Sequence, residues 1–163
     1  MMIRMSAMRN SPVVCAGKQI GIMQNILLDE EQKSVKALII SCGIRGKRIA
    51  LKRDILSISD DFILIKRDSK YQNTLEKNTC QFVRDTAGLL TGRITDYAID
   101  KTNFIVYAIE IILGYTMNEY KKRAWIYDYQ KSNKDKSELI IPISLGTERI
   151  ISEEENVACE CQP

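Results

Sequence analysis

The chain has 163 residues, 45% of them hydrophobic and 28% charged, with few Gly and Pro, an ordinary globular make-up that excludes wholesale disorder. Its formal charge of +3 is the balance of +5 over residues 1–66, +2 over 67–152 and −4 over 153–163; so mild a basic bias suits an anionic partner but falls short of a nucleic-acid-binding signature. The absence of histidine excludes His-based triads, Cys–His dyads and histidine metal sites, and no apolar run approaches the ~20 residues of a membrane-spanning helix.

In chain order, the N-terminal stretch mixes Met with Arg4, Ser6, Arg9 and Asn10 and lacks the apolar core of a secretory signal. The five cysteines, Cys15, Cys42, Cys80, Cys159 and Cys161, are therefore expected as free thiols in a reducing cytoplasm. Gly17 marks the turn into a long strand. Ile20, Ile22, Ile26 and Leu28 fall two or four apart, which predicts one shared face, with Met23 and Leu27 on the other. Residues 29–33 are a polar turn, and 35–40, rich in β-branched side chains, return as the second arm of a long hairpin. Gly43-Ile44-Arg45-Gly46 is a further turn. Residues 49–51 form a short strand, and 62–65 another after Asp60-Asp61. Residues 67–81 read as a polar linker into which Leu75 and Cys80 tuck.

The same order then recurs. Residues 89–99 extend, 100–103 turn and 104–113 return; 115–120 make a longer loop. Residues 124–129 are the next strand, 130–137 a polar turn, and 139–141 close the unit. Gly17, Gly21, Asp29, Val35, Ala37, Ile40 and Gly43 are matched by Gly88, Gly92, Asp100, Val106, Ala108, Ile111 and Gly114, each 71 positions later. The offset slips to 74 between Ala50 and Ala124 and to 76 between Ile63 and Leu139. An internal repeat decides the architecture before any single element does. It divides the chain into a first module at 1–66, a linker at 67–81, a second module at 82–152 and an acidic tail at 153–163. Modules of roughly 70 residues have marginal cores, so the two are expected to pack on each other or on a second chain, and pairing of the copies about a pseudo-twofold is one such arrangement. Short strands with little helix predict an all-β barrel or sandwich. Gly21 and Gly92, inside strands, predict a bend or close approach of the kind that closes a small barrel.

Gly17-Lys18-Gln19-Ile20-Gly21-Ile22-Met23-Gln24-Asn25-Ile26-Leu27-Leu28-Asp29, followed by Val35-Lys36-Ala37-Leu38-Ile39-Ile40, resembles the PRC-barrel family. That family is named for the cytoplasmic domain of the photosynthetic reaction-centre H subunit, and supplies the C-terminal domain of the bacterial ribosome maturation factor for the small subunit. Ile49-Ala50-Leu51-Lys52-Arg53-Asp54-Ile55 resembles the family's strand into a short Asp-containing turn. The resemblance covers residues 10–66 and, less closely, 82–141, where Thr91 and Arg93 replace apolar positions and Asp96 fits better than Asn25. It implies an all-β fold of two tandem small PRC-like β-barrels packed together, with a short acidic C-terminal tail. It also implies a protein-docking role without shared catalytic residues. The chain also resembles tandem PRC-like arrangements that include sporulation-associated proteins of spore-forming bacteria.

No catalytic, cofactor or metal site is expected. The segment from Gly43 to Arg48 has two residues between its glycines instead of the four of a phosphate loop, and sits between strands. Asp29 and Asp100 are turn residues. Cys159-Glu160-Cys161, behind Glu153-Glu154-Glu155, reads as an acidic tail, since zinc needs four ligands. Basic and aromatic residues are the better signal. Arg45, Lys47, Arg48, Lys52 and Arg53 surround the second turn of copy one; Lys121, Lys122 and Arg123 occupy the equivalent region of copy two. Trp125, Tyr127 and Tyr129 follow in alternation, predicting one strand face, with Trp125, matched to Leu51, as core and Tyr127, matched to Arg53, at a rim. Arg45, Lys47, Arg48, Lys121, Lys122, Arg123, Tyr127 and Tyr129 are thus the expected partner-binding residues. The function expected of them is that of an adaptor for a protein partner, with a homodimer as a further expectation. The alternative is an RNA- or ribosome-associated factor using the same basic hairpins, whose binding would fall steeply with salt.

Overall fold

The computed structural model describes residues 1–66, 80–113, 123–133, 135 and 137–142. Over these the chain is mostly β, curled as a half-barrel. After β1 (Met2–Arg4) and the one-turn helix α1 (Met5–Met8) come β2 (Pro12–Cys15), β3 (Lys18–Leu28), β4 (Val35–Ser41), β5 (Lys47–Leu51), β6 (Ile55–Ile58) and β7 (Ile63–Ile65). The second run is β8 (Phe82–Asp85), β9 (Leu90–Asp100), β10 (Val106–Leu113), β11 (Arg123–Ile126), β12 (Gln130–Lys131) and β13 (Glu138–Ile141). The first sheet has the order β5-β4-β3-β2-β7-β6 and the second β11-β10-β9-β8-β13-β12, with β1 added on β9. Each sheet holds one parallel pair, β2 with β7 and β8 with β13. The sequence repeat is therefore a repeat of sheet topology. The short strands β2, β6, β8 and β12 escaped the sequence pattern because two to four residues show no periodicity of their own.

The long hairpins share their irregularities. Ile20, Gln24 and Lys36 are each skipped in the first sheet's register, as are Thr91, Thr95 and Tyr107 in the second, at the same 71-residue offset. A bulge inserts one residue and turns the following side chains to the other face. This corrects the predicted face of β3: Met23, Ile26 and Leu28 are buried, whereas Ile22 is exposed. The glycines behave as expected. Ala16 and Gly17, both at positive φ, make the two-residue turn between Cys15 and Lys18. A Cβ on Gly21 would lie 2.4 Å from the Ser41 carbonyl oxygen, and one on Gly92 2.5 Å from that of Ile112. The backbones of β3 and β4, and of β9 and β10, approach closely at these points.

The two sheets meet at their hairpin tips. Ser34 and Ile105 form an isolated antiparallel bridge: the Val35 amide donates to the Phe104 carbonyl (2.9 Å) and the Val106 amide to the Lys33 carbonyl (2.8 Å). Val35 and Val106, Lys33 and Phe104, and Ser34 and Ile105 are all 71 apart. The exchanged pair of bonds thus lies on a pseudo-twofold axis, as the repeat predicts. Around it the Tyr129 hydroxyl donates to the Gln32 carbonyl (2.8 Å), and the Cys80 amide to Gln32 Oε1 (3.3 Å). Gln32, at positive φ and fully buried, is pinned from both sides. The core is continuous across this junction, from Met23, Ile26 and Leu38 to Ile99, Ile109 and Leu139. Cys80 tucks in as expected, while Leu75 lies outside the described residues.

The N-terminal segment departs from its place in the first module. β1 pairs with β9, Met2 opposite Asp100 and Arg4 opposite Ala98. Met5 and Met8, three apart and on one helix face, are buried. The Asp96 carboxylate accepts from the Ser6 amide (3.0 Å) and from the Ser6 hydroxyl, and also from the Tyr97 amide (2.8 Å). Asn25, its counterpart 71 residues earlier, accepts only the equivalent Ile26 amide (3.0 Å) among these bonds.

Replacing Gly21 or Gly92 with Ala forces a methyl group against a backbone oxygen. Each variant is expected to lose about 1–3 kcal/mol, as overpacked sites do, in urea unfolding followed by circular dichroism. Burial raises the hydroxyl pKa of Tyr97 and Tyr129. The unfolded chain ionises near pH 10 while the folded chain keeps both protons. Their contribution is therefore fully present below about pH 10 and is lost as pH rises through the higher folded values. Unfolding midpoints should fall across that range, and less steeply in Tyr97→Phe and Tyr129→Phe.

Candidate docking surface

The β4–β5 turn is built to hold one apolar side chain in water. The Cys42 amide donates to the Gly46 carbonyl (2.9 Å) and the Gly46 amide to the Gly43 carbonyl (3.1 Å), closing a 3-10 turn at Gly43–Arg45. Gly43 (φ +64°) and Gly46 (φ +87°) bracket it, in a region that side chains with a Cβ disfavour. Ile44 at the apex is fully exposed, at 106%. Arg45 and Lys47 flank it, both exposed, and among the described residues neither pairs with a carboxylate. Arg48, opposite Ile40 on β4, is half-buried. Arg45 and Lys47 are thus exposed at the turn, while Arg48, next to Lys47 on β5, points to the other face of the strand.

Arg123 of the second copy is not brought to them. β4 and β10 leave the Ser34–Ile105 bridge in opposite directions, because that bridge is antiparallel. Lys47, opposite Ser41 at the end of β4, and Arg123, opposite Ile112 near the end of β10, thus sit at opposite ends of the molecule. At ~3.3 Å per residue they lie up to about 40 Å apart along the strands. Lys121 and Lys122 lie outside the described residues, as do Cys159, Cys161 and the acidic segment.

Register changes the aromatic assignments as well. Leu38 faces Ala50, and Ile109, 71 residues after Leu38, faces Ile126. The offset at β11 is therefore 76, not 74, and Trp125 matches Ile49 instead of Leu51. Leu51 is itself 37% exposed, not core. β11 ends at Ile126, so the strand expected to reach residue 129 stops early and its three aromatics do not share a face. Trp125 is half-buried beneath the Arg4 guanidinium, 5.1 Å from its ring centroid. Tyr127 is 64% exposed. Tyr129, expected on the partner surface, is fully buried at the junction between the sheets.

Sequence reasoning missed a buried carboxylate beside this second end. Glu110, which stands where Ile39 stands in the first copy, is 2% exposed. Its Oε2 accepts from the Thr95 hydroxyl (2.8 Å) and lies 3.6 Å from Arg123 Nη1. Arg123 therefore contributes part of its charge inward. A Glu within Ile109-Glu110-Ile111 was the available signal, a polar residue in an otherwise apolar strand. Among the described residues no group of three Cys, Asp or Glu side chains is placed to hold a metal. Cys15, Cys42 and Cys80 are unbridged, and burial pushes the Cys80 thiol pKa up, away from the reactive thiolate. No helix is long and apolar enough to cross a membrane among the described residues. Compared with known proteins, the chain matches no protein-family model and no curated protein.

The apex carries no packing of its own, so changing it should spare the fold. Ile44→Asp, Arg45→Glu and Lys47→Glu are each expected to shift stability by less than about 0.5 kcal/mol, measured as urea unfolding free energies against the parent chain.

Proposed function

We propose that the protein is a non-enzymatic adaptor built from two tandem PRC-like barrels. The first module's β4–β5 turn serves as its docking tip for an acidic protein partner. The observation that carries this reading is the turn itself. A 3-10 apex holds Ile44 entirely in water, followed by two exposed cations, Arg45 and Lys47, without a carboxylate partner among the described residues. An apolar anchor with a cationic rim is the composition that interface hot spots favour when the partner supplies the pocket and the opposite charge. Arg123, opposite Ile112 near the far end of β10, offers a second cation away from this turn, so an extended partner, or two partners, would be engaged from both ends. The resemblance to PRC barrels supports docking over catalysis, and sporulation is the setting it suggests. The three unbridged cysteines support a reducing, cytoplasmic compartment.

The same cations would also suit phosphates, as in the ribosome-associated reading, and one experiment separates the two. The tagged chain and its Ile44→Asp/Arg45→Glu/Lys47→Glu variant are used to capture partners from a lysate of the source organism at low and high salt. A single stoichiometric protein retained by the parent chain and lost by the variant is the expected result. Retention of whole ribosomal subunits, released by salt as phosphate contacts are, would establish the RNA reading instead. Equal retention of a partner by chain and variant would remove the turn from the function.

A further inference from the structure

The contacts around the pseudo-twofold join equivalent elements, though not equivalent residues, and they differ in chemistry. Each tip residue at the exchanged bridge meets the three-residue connection that follows β5 or β11 in the other module. Lys33, from the first tip, lies with its Nζ 3.6 Å from the ring centroid of Tyr129 in the second module's connection, residues 127–129. Its counterpart Phe104, from the second tip, lies beneath Lys52 of the first module's connection, with Nζ 5.8 Å from the ring centroid. Both contacts join a cation to an aromatic face, but the first module supplies both cations and the second both rings. At the rim, Lys101 of the second tip bonds Asp60 of the first module at 2.7 Å; its counterpart in the first tip is Glu30.

We infer that the hairpin tips form a heterotypic recognition surface: each module accepts the other and rejects a copy of itself. Pairing two first modules by the same geometry would set Lys33 against Lys52 and Arg53, and Glu30 against Asp60, which are like charges throughout. Pairing two second modules would set Phe104 against Tyr129 with no cation between them, and would replace Gln32, which both Tyr129 and Cys80 engage, with Asn103. The partner that fits each tip is the complementary module, supplied by the same chain or by exchange between two chains. Building repulsion against the wrong partner is how near-identical surfaces avoid cross-pairing. A duplicated unit with self-complementary tips would otherwise join chains through like modules. The inference stands independently of the docking function.

Two substitutions give the first module the second module's tip. In Glu30→Lys/Lys33→Phe, two first modules become complementary across the axis. The ammonium introduced at position 30 can meet Asp60, and the ring introduced at position 33 can meet Lys52. Light scattering coupled to size exclusion should show the variant's mass rising with concentration towards twice that of the parent chain. An unchanged mass relative to the parent over the same concentrations would overturn the inference. A second measurement decides if that variant does not fold. Phe104→Lys, which places a cation against Lys52, should lower the thermal midpoint by several degrees. Adding Lys52→Phe, which restores a cation–ring pair with its members exchanged, should recover most of that loss. Losses that simply add would mean Phe104 acts only as core, and would equally sink the proposal.

Discussion

Everything in this fold hangs on two backbone hydrogen bonds exchanged between Val35 and Phe104 and between Val106 and Lys33. They are made by equivalent residues of two copies of one pattern, so neither tip can shift without displacing its counterpart. Small β modules leave edges and apolar surface that a single sheet of this size cannot cover. Meeting tip to tip lets the core run from one sheet into the other, with Gln32, Cys80 and Tyr129 closing the seam. The same axis sends β4 and β10 in opposite directions, and so sets Lys47 and Arg123, beside their far ends, apart.

Much of this was legible in the chain because a repeat constrains twice. Glycines at Gly17 and Gly21, and again at Gly88 and Gly92, marked a turn and a close approach, and both occur in both copies. The hairpin arms, their turns and the pseudo-twofold followed from the constant 71-residue offset. The bulges did not show. Inserting Gln24 or Lys36 into a strand changes no composition, yet it reverses which side chains face the core, and a period-two reading of β3 therefore chose Ile22 in place of Met23. The register of β11 was hidden for a related reason. Its offset follows a loop of different length, and matching Ala50 to Ala124 by identity hid the pairing that matches Ala50 to Ile126.

The N-terminal segment was illegible for a different physical reason. Met5 and Met8 are apolar at helical spacing, but one turn is too short to stand out, and its stability comes from Asp96 in the other module, ninety residues away. Long-range satisfaction of a polar group has no local signature. The β4–β5 turn was the reverse case. Arg45, Lys47 and Arg48 cluster within four positions, so their proximity was visible at once, while Ile44 was passed over as one more apolar residue. Only the turn geometry shows that it points into solvent.

Where the copies differ in chemistry, the differences fall into two groups. One lies at the axis, where Lys33 faces Tyr129, Lys52 faces Phe104, and Asp60 bonds Lys101, whose counterpart in the first copy is Glu30. The other lies away from the axis, where Ile39 becomes Glu110, whose carboxylate faces Arg123. A duplicated unit that drifted freely would scatter its changes over the surface. Instead the scaffold positions, the glycines and bulges, stay in phase through both hairpins. Divergence at the axis makes the two modules complementary. Divergence away from the axis makes two copies of one shape present different surfaces outward.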